Sequence, residues 1–104
     1  MFFELRVYHA NRGKITELLS RFRDHTVELF ARHNMESVGY WIDEANPDDL
    51  IYILKHSGDP EINWQAFRDD KEWIAAKSNS EVNGVLVASI DSHFMQATDF
   101  SALK

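Results

Sequence analysis

The sequence contains no cysteine among its 104 residues, and this absence excludes several kinds of site. Without thiols the chain can form no disulfide framework, no thiolate zinc site and no cysteine nucleophile. The lack of cysteine also fits a reducing compartment. The chain has neither a positively charged leader nor a long apolar run of the kind that marks a signal peptide or a membrane span. We therefore expect a cytoplasmic protein without a transmembrane segment.

Proline, glycine and positive charge are also scarce. Two prolines and four glycines, with 44% hydrophobic residues, indicate a globular chain and not a disordered one. Eleven basic residues stand against 17 acidic ones, for a net charge of −6. Because an acidic surface repels phosphate backbones, we expect no nucleic-acid partner. The length predicts one domain over residues 1–104.

The spacing of apolar residues predicts four strands and two helices in the order βαββαβ. The predicted segments are a strand over Phe2–Tyr8, a helix over Lys14–His33, strands over Ser37–Asp43 and Leu50–His56, a short helix that begins at Asp59 and Pro60 and breaks near Asp69, one further turn over Lys71–Trp73, and a strand within Val85–Met95. This order is the ferredoxin-like arrangement, an α+β fold. It predicts a four-stranded antiparallel sheet whose helices lie on one face.

The two middle strands are apolar on both of their faces. Trp41, Ile51 and Ile53 alternate with residues that are also apolar, Tyr40 and Tyr52 among them. In a sheet with one solvent-exposed face, apolar and polar residues alternate more regularly along each strand. Because one chain has enough helix to cover only one face, we expect a second copy to cover the other. The sequence therefore predicts a homodimer with sheets packed face to face, a dimeric α+β barrel.

Glu4, Arg6 and Tyr8 share one face of the first strand, and we assign that face to the dimer interface. Charges shielded there must be paired. One interpretation is a buried ion pair between Glu4 and Arg6 that fixes the register. The other is an anion clamp, with Arg6 as the bidentate donor to a carboxylate ligand. The ion pair is favoured because it satisfies both charges without a ligand. By contrast, Glu17 and Arg21 are expected to form a solvated pair on the helix surface.

A pocket between the helices and the sheet is the candidate ligand site. His25, on the edge of the apolar stripe of the long helix, is a possible acid, base or haem ligand. The favoured interpretation is a core or rim histidine bonded to a backbone carbonyl, because a lone histidine without a partner rarely marks catalysis. The aromatic residues either fill the core or line a pocket for a flat apolar molecule. Trp64 lies off the stripe of Ile62 and Phe67, which predicts a position at the pocket mouth. The candidate lining residues are His25, Thr26, Trp41, Tyr52, Trp64 and Phe67.

The sequence identifies no definite catalytic residue, and we expect no metal and no cofactor. The five histidines include no pair at the i, i+4 spacing that a helical zinc site uses. The segment Asn11–Lys14 is too short and too poor in glycine to cradle a phosphate. We therefore expect neither a metal site nor a nucleotide site.

Several segments in chain order resemble the NIPSNAP family. They are Glu4-Leu5-Arg6-x-Tyr8, Gly13-Lys14, Phe22-Arg23-x-His25-Thr26, Val38-Gly39-Tyr40-Trp41, Trp64-x-x-Phe67 and Asp70-x-Glu72-Trp73. The resemblance extends over nearly the whole chain and implies a dimeric α+β barrel of ferredoxin-like halves. It implies little about activity. Eukaryotic members are linked to vesicle transport and mitochondrial signalling, whereas small bacterial-type members are largely uncharacterised. The wider barrel superfamily includes cofactor-independent monooxygenases.

Three functional hypotheses follow. The first is a dimer that binds a small apolar or aromatic molecule in the helix–sheet pocket. The second is a non-enzymatic interaction or signalling dimer that acts through its outer helix surfaces. The third, a cofactor-independent monooxygenase-like enzyme, rests on analogy with the superfamily alone.

Overall fold

The computed structural model describes residues 2–104 and has a single antiparallel sheet of four strands in the order β2-β3-β1-β4. The elements are β1 (Phe2–Ala10), α1 (Ile15–Arg21), a π-helical turn (Phe22–Thr26), α2 (Val27–Arg32), β2 (Met35–Ile42), β3 (Asp49–His56), α3 (Pro60–Asp69), α4 (Lys71–Ser80) and β4 (Val87–Met95). This order confirms the predicted ferredoxin-like α+β fold. Within residues 2–104, no helix has the length and apolar character needed to cross a membrane.

Capping side chains mark the helix boundaries where the sequence predicts them. The Asp59 carboxylate accepts a hydrogen bond from the Glu61 backbone N–H at the start of α3, and Asp70 caps α4 through the Glu72 N–H. Asn34 adopts a φ of 64° just after the long helix ends. The prediction of a single turn after Asp70 is wrong, because α4 continues for ten residues. Only Ala76 of α4 is buried, so the segment carries no apolar stripe that would reveal its length.

The long predicted helix is interrupted by one π-helical turn. The turn Phe22–Thr26 joins α1 to α2, and the Thr26 hydroxyl donates to the Arg21 carbonyl oxygen at 3.3 Å. A π-helical turn is wider than an α-helical one and advances the chain by a smaller angle per residue. Phe22 and Thr26 remain buried in line with Leu18 and Phe30, while His25 between them is exposed.

The hydrophobic core lies between the helices and one face of the sheet. Tyr8, Leu50, Tyr52 and Leu54 of the sheet pack there against residues of every helix-forming segment from α1 to α3. The opposite face, which we call the open face, carries Leu5, Val7, Trp41, Ile51 and Ile53. These side chains are partly or largely exposed, and half of the Trp41 surface (51%) is accessible.

The assignment of Glu4, Arg6 and Tyr8 to the dimer interface is wrong. Their strand partners on β3 are Leu54, Tyr52 and Leu50 respectively, which all belong to the helix-covered core. The Tyr8 ring packs edge-on against Phe22, with centroids 5.5 Å apart. Strand alternation places the three residues on one face but does not say which face the helices cover.

Candidate functional site

The Glu4 carboxylate is the centre of a buried polar network. Only 1% of Glu4 is exposed. Its oxygens accept hydrogen bonds from His56 Nε2 at 2.7 Å, Trp64 Nε1 at 2.8 Å, Arg6 Nη1 at 2.9 Å and Ser92 Oγ at 2.5 Å. Burial raises the pKa of Glu4, but the four hydrogen bonds outweigh burial and lower it to about 2. Glu4 is therefore ionised at neutral pH. We call these five residues the Glu4 network.

Four elements bring the Glu4 network together. Alternation along β1 directs Glu4 and Arg6 to the same face, and β4, paired with β1, places Ser92 opposite Arg6. His56 is the last residue of β3. Because the Asp59 cap fixes the start of α3, Trp64 falls in the next turn and faces the sheet.

His56 has a defined tautomer within the network. Asn63 Nδ2 donates to His56 Nδ1 at 3.2 Å and to the Ser57 carbonyl oxygen at 2.9 Å. An amide nitrogen can only donate, so Nδ1 accepts and the ring proton lies on Nε2. His56 is thus a neutral donor to Glu4, and Arg6 supplies the positive charge that compensates the carboxylate.

Arg6 lies between the Glu4 network and a pair of tyrosines. Its guanidinium carbon is 4.2 Å from the centroid of the Trp64 ring and 5.4 Å from that of Tyr8. Nη1 donates to Glu4, and Nη2 donates to the Tyr8 hydroxyl over a long 3.4 Å. Nε is buried and has no hydrogen-bond partner among residues 2–104. The pKa of Arg6 is raised overall, because nearby Tyr8, Tyr52 and Glu4 together outweigh burial.

A second arginine lies on the helix side, close enough to the same tyrosines to interact electrostatically with both. Arg21, at the end of α1, is 4% exposed and packs 5.0 Å from the Trp73 ring centroid. Its Nη1 donates to Ser80 Oγ at 3.2 Å and lies 3.7 Å from a Glu81 carboxylate oxygen. The expected surface pair with Glu17 is therefore wrong, since Arg21 points inward. Burial lowers the pKa of Arg21.

Tyr52 completes this group, which we call the arginine–tyrosine cluster: Arg6, Arg21, Tyr8 and Tyr52. The Tyr52 side chain is fully buried, and its ring packs 5.3 Å from the Tyr8 ring. Burial raises its pKa well above the ordinary value, and the neighbouring Tyr8 contributes. The Tyr52 hydroxyl has no hydrogen-bond partner within residues 2–104. Within the cluster, Arg6 Nη2 donates to the Tyr8 hydroxyl over a long 3.4 Å.

An open cleft separates α3 from β4 beside these groups. Ile90 and Phe94 lie on the helix side of β4, opposite Tyr8 and Glu4, yet they are 44% and 57% exposed. The helices therefore leave β4 uncovered. The α3–β4 cleft has a volume of about 510 Å³, and its lining residues are Asp59, Glu61, Ile62, Trp64, Gln65, Arg68 and Phe94. This volume is within the range of small-molecule sites.

The structure separates the residues predicted for the helix–sheet pocket. His25 is exposed and lines a groove between α1 and α4 that also includes Arg21 and Ser80. Thr26 is buried, and its hydroxyl bonds to the helix backbone. The wider π-helical turn accounts for this difference, because it rotates His25 away from the apolar stripe. His25 therefore faces the groove between α1 and α4 and not the space between the helices and the sheet.

The aromatic residues of the predicted pocket lie on both faces of the sheet. Trp41 pairs with Ile51 on the open face, whereas Tyr52 lies in the core on the opposite face. Tyr52, Trp64 and Phe67 do lie together, but the Phe30 ring fills the space between them, with centroids 5.0–5.7 Å from theirs.

Trp64 lines the α3–β4 cleft, but its side chain points into the protein and not outward. Its side chain is 8% exposed and bonds to Glu4, whereas Ile62, which the sequence places in the core, is 67% exposed. The buried indole N–H requires an acceptor, and Glu4, distant in sequence, supplies it.

Sequence reasoning also missed a charged cluster on the open face. His9 Nδ1 is 2.8 Å from an Asp49 oxygen, and His9 Nε2 is 2.8 Å from an Asp91 oxygen. Hydrogen bonds to Asp91 and Asp49 raise the pKa of His9. Both ring nitrogens are thus engaged by carboxylates. No group of three histidine, aspartate or glutamate side chains in the described part of the chain has the geometry to hold a metal ion.

The model of the family NIPSNAP matches residues 3–102. The chain belongs to the NIPSNAP family. No curated protein matches the sequence.

Solved structures with this fold include other NIPSNAP proteins. A NIPSNAP family protein with unknown function from Agrobacterium tumefaciens is 25% identical, with a TM-score of 0.83 over 100% of this chain and 94% of that one. An uncharacterized NIPSNAP domain protein from Burkholderia xenovorans is 17% identical, with a TM-score of 0.79 over 97% and 98%. An antibiotic biosynthesis monooxygenase is 13% identical, with a TM-score of 0.66 over 94% and 99%. At this identity the last likeness shows the fold alone.

Proposed function

We propose that this NIPSNAP protein is a homodimer that binds a small apolar or aromatic molecule in the α3–β4 cleft. The observation that carries the proposal is the uncovered helix side of β4. Phe94 and Ile90 point to the side of the sheet that the helices cover elsewhere, and they are about half exposed. Phe94 also lines the cleft, and an exposed aromatic side chain in a cleft favours a ligand there.

The Glu4 network holds one wall of the cleft in place. Trp64 lines the cleft, and its indole N–H is fixed by the buried Glu4 carboxylate. Phe94 packs 6.2 Å from the His56 ring, which the same carboxylate also holds. A binding site whose walls are fixed by buried hydrogen bonds loses little entropy when a ligand enters. The Glu4 network therefore supports a preformed site for a flat molecule.

The homodimer is supported by the composition of the open face. Leu5, Val7, Ile51 and Ile53 form a contiguous apolar patch across β1 and β3, and Trp41 extends it onto β2. A patch of this kind on a small protein favours burial against another sheet. A second copy presents the same apolar surface about a two-fold axis, so that each patch covers the other.

A second candidate function is a non-enzymatic interaction dimer that acts through its outer helices. Ile62 on α3 and Ile74 on α4 are 67% and 53% exposed. Isolated exposed apolar residues are common on soluble proteins, which makes this the weaker proposal. If the outer helices bind a partner, Ile62→Asp and Ile74→Asp abolish binding of that partner, whereas Phe94→Ser does not.

Calorimetric titration with a bicyclic aromatic probe tests the ligand proposal. We expect 2-naphthamide to bind the wild-type protein saturably, and Phe94→Ser to weaken binding by about tenfold, because the substitution removes one aromatic wall. Phe100→Ser is the matched control, since Phe100 is exposed in the C-terminal tail, away from the cleft. Equal affinity in the wild type and in Phe94→Ser, or no saturable binding of the amide or of its carboxylate analogue, would refute the proposed cleft.

A further inference from the structure

Three buried polar atoms in one part of the molecule have no protein partner. Among the side chains of residues 2–104, these are Arg6 Nε, Arg21 Nε and the Tyr52 hydroxyl. All three belong to the arginine–tyrosine cluster. Buried polar groups in native proteins are nearly always hydrogen-bonded, so each exception requires a physical explanation. Because the three exceptions lie around one pair of tyrosines, a single missing partner explains them more simply than three separate causes.

The chemistry of these atoms defines what would satisfy them. A guanidinium group has N–H donors and no acceptor, so both arginine Nε atoms need an acceptor. The Tyr52 hydroxyl also has a hydrogen to donate. The missing partner is therefore rich in acceptor atoms. Two positively charged donors favour a negatively charged acceptor, and a planar carboxylate matches the edge of a guanidinium group.

The carboxylates of the protein itself are already engaged. Glu4 accepts four hydrogen bonds, and only the Nη1 atom of Arg6 reaches it. Glu81 accepts from the backbone N–H of Leu86 at 3.2 Å and approaches Arg21 only at Nη1. Neither carboxylate approaches an Nε atom. The two arginines thus keep donors that the described residues do not use.

The cluster adjoins the α3–β4 cleft through Trp64. Arg6 stacks 4.2 Å from the Trp64 ring, and Trp64 is also a wall of the cleft. The Arg6 side chain retains 14% of its exposure, whereas Arg21 and Tyr52 lie deeper. A ligand in the cleft that lies along Trp64 therefore extends an acidic group towards Arg6 first.

We propose that Arg6, Arg21, Tyr8 and Tyr52 form an anion subsite that holds the carboxylate of a small aromatic acid whose ring lies in the α3–β4 cleft. This inference rests on the proposed binding function, and it specifies the chemical class of the ligand. Arg6 and Arg21 supply charged donors, and Tyr52 adds a neutral donor. Tyr8, which already accepts weakly from Arg6, orients that guanidinium.

The test compares two probes of the same shape, 2-naphthoate and 2-naphthamide, by calorimetric titration. We expect the wild-type protein to bind the carboxylate at least about tenfold more tightly than the amide, because hydrogen bonds to charged groups are the stronger ones. In Arg21→Gln and in Tyr52→Phe this preference falls to about threefold or less, with the amide affinity unchanged. Arg23→Gln, which removes an exposed arginine of the π-helical turn, retains the full preference.

Thermal unfolding adds a readout that a purely structural role does not produce. Without a ligand, Tyr52→Phe raises Tm by about a few degrees, because it removes a buried hydroxyl that has no partner. The stabilisation of the wild type by 2-naphthoate is lost in the same variant. If Tyr52→Phe gains stability and loses binding, misfolding cannot explain the loss of binding. Tyr52→Phe therefore tests the subsite even if Arg21→Gln fails to fold.

The outcomes separate this inference from the proposed function. If the wild type binds both probes equally and Phe94→Ser weakens both, the cleft is correct and the anion subsite is wrong. If the carboxylate binds more tightly and Tyr52→Phe retains that preference, the acid is held elsewhere and the inference is also wrong. If neither probe binds, the proposed function itself fails.

Discussion

At the scale of single residues, the site consists of charges that are compensated inside the protein. Glu4 is surrounded by four donors, and its neutral neighbour His56 is oriented by Asn63. Burying a carboxylate is unfavourable unless hydrogen bonds replace the water that it loses. The pKa of Glu4 is low because the hydrogen bonds favour the ionised carboxylate more than burial disfavours it. The network therefore stabilises the fold as long as Glu4 stays ionised.

The pH dependence of stability should reveal this contribution. The pKa of Glu4 is about 2 in the folded protein, below the ordinary value of 4.5. A carboxylate with a lowered folded pKa stabilises the fold above its unfolded pKa and loses that effect as the pH falls through its folded pKa. The free energy of unfolding of the wild type should therefore fall between pH 5 and pH 2, by about 3 kcal/mol more than in Glu4→Gln.

Urea denaturation at a series of pH values measures this difference. Glu36→Gln serves as the control, because Glu36 is exposed on β2, and its pH profile should run parallel to that of the wild type. A Glu4→Gln profile parallel to the wild type would show that the network does not hold Glu4 in its ionised form.

At the scale of elements, Asp70 links the start of α4 to the end of α2. Its carboxylate caps α4 at the Glu72 N–H and accepts hydrogen bonds from His33 Nε2 at 2.7 Å and from Arg32 Nη1 at 3.1 Å. Hydrogen bonds from His33, the backbone N–H of Glu72 and Arg32 lower the pKa of Asp70. One side chain thus fixes the start of α4 and the end of α2. This holds α4 in place although the helix buries little apolar surface.

Replacing the two capping aspartates separates these roles. Asp59 caps α3 through one backbone N–H, so Asp59→Ala should lower the free energy of unfolding by about 1 kcal/mol. Asp70→Ala removes a cap and two links to α2, and we expect a larger loss than in Asp59→Ala. Chemical denaturation of both variants gives the comparison. An equal loss in the two variants would mean that the links to His33 and Arg32 contribute nothing.

At the scale of the whole molecule, the two faces of the sheet have different roles. The helix-covered face contains the Glu4 network, the arginine–tyrosine cluster and the core. The open face combines an apolar centre with the charged group of His9, Asp49 and Asp91 at one end. The proposed dimer buries the open face and leaves the α3–β4 cleft on the other side of the sheet. The two proposals therefore place assembly and ligand binding on separate surfaces.

A charge on the open face should dissociate the proposed dimer. Ile53 lies near the centre of this face, opposite Leu5, so Ile53→Glu places an unpaired carboxylate in the interface. We expect the dimer affinity to fall by at least about a hundredfold, since an uncompensated buried charge is strongly unfavourable. Sedimentation velocity over a range of concentrations measures the effect. Ile74→Glu, on the outer surface of α4, should leave the assembly unchanged, and a wild type that sediments as a monomer at micromolar concentration would contradict the proposal.

Much of the site could not be predicted, because its residues are joined by tertiary contacts alone. Glu4 and Arg6 could be identified as a pair from their spacing along one strand. His56 and Trp64 lie more than fifty positions away from Glu4, and no periodicity links them to it. The i, i+4 spacing from Glu17 predicts that Arg21 lies on the helix surface in an ion pair. A local pairing rule cannot detect that the opposite side of the helix offers Ser80 and Trp73 instead.

The sequence by itself determined the order of strands and helices, the capping aspartates and the turn at Asn34, since these depend on neighbours in the chain. Only the tertiary structure decided which face of β1 the helices cover, where His25 points and what surrounds Arg21. Alternation defines two equivalent faces of a strand, and packing selects one of them. A single wide turn in the long helix changes which side chains face the core, and this turn leaves no recognisable pattern in the sequence.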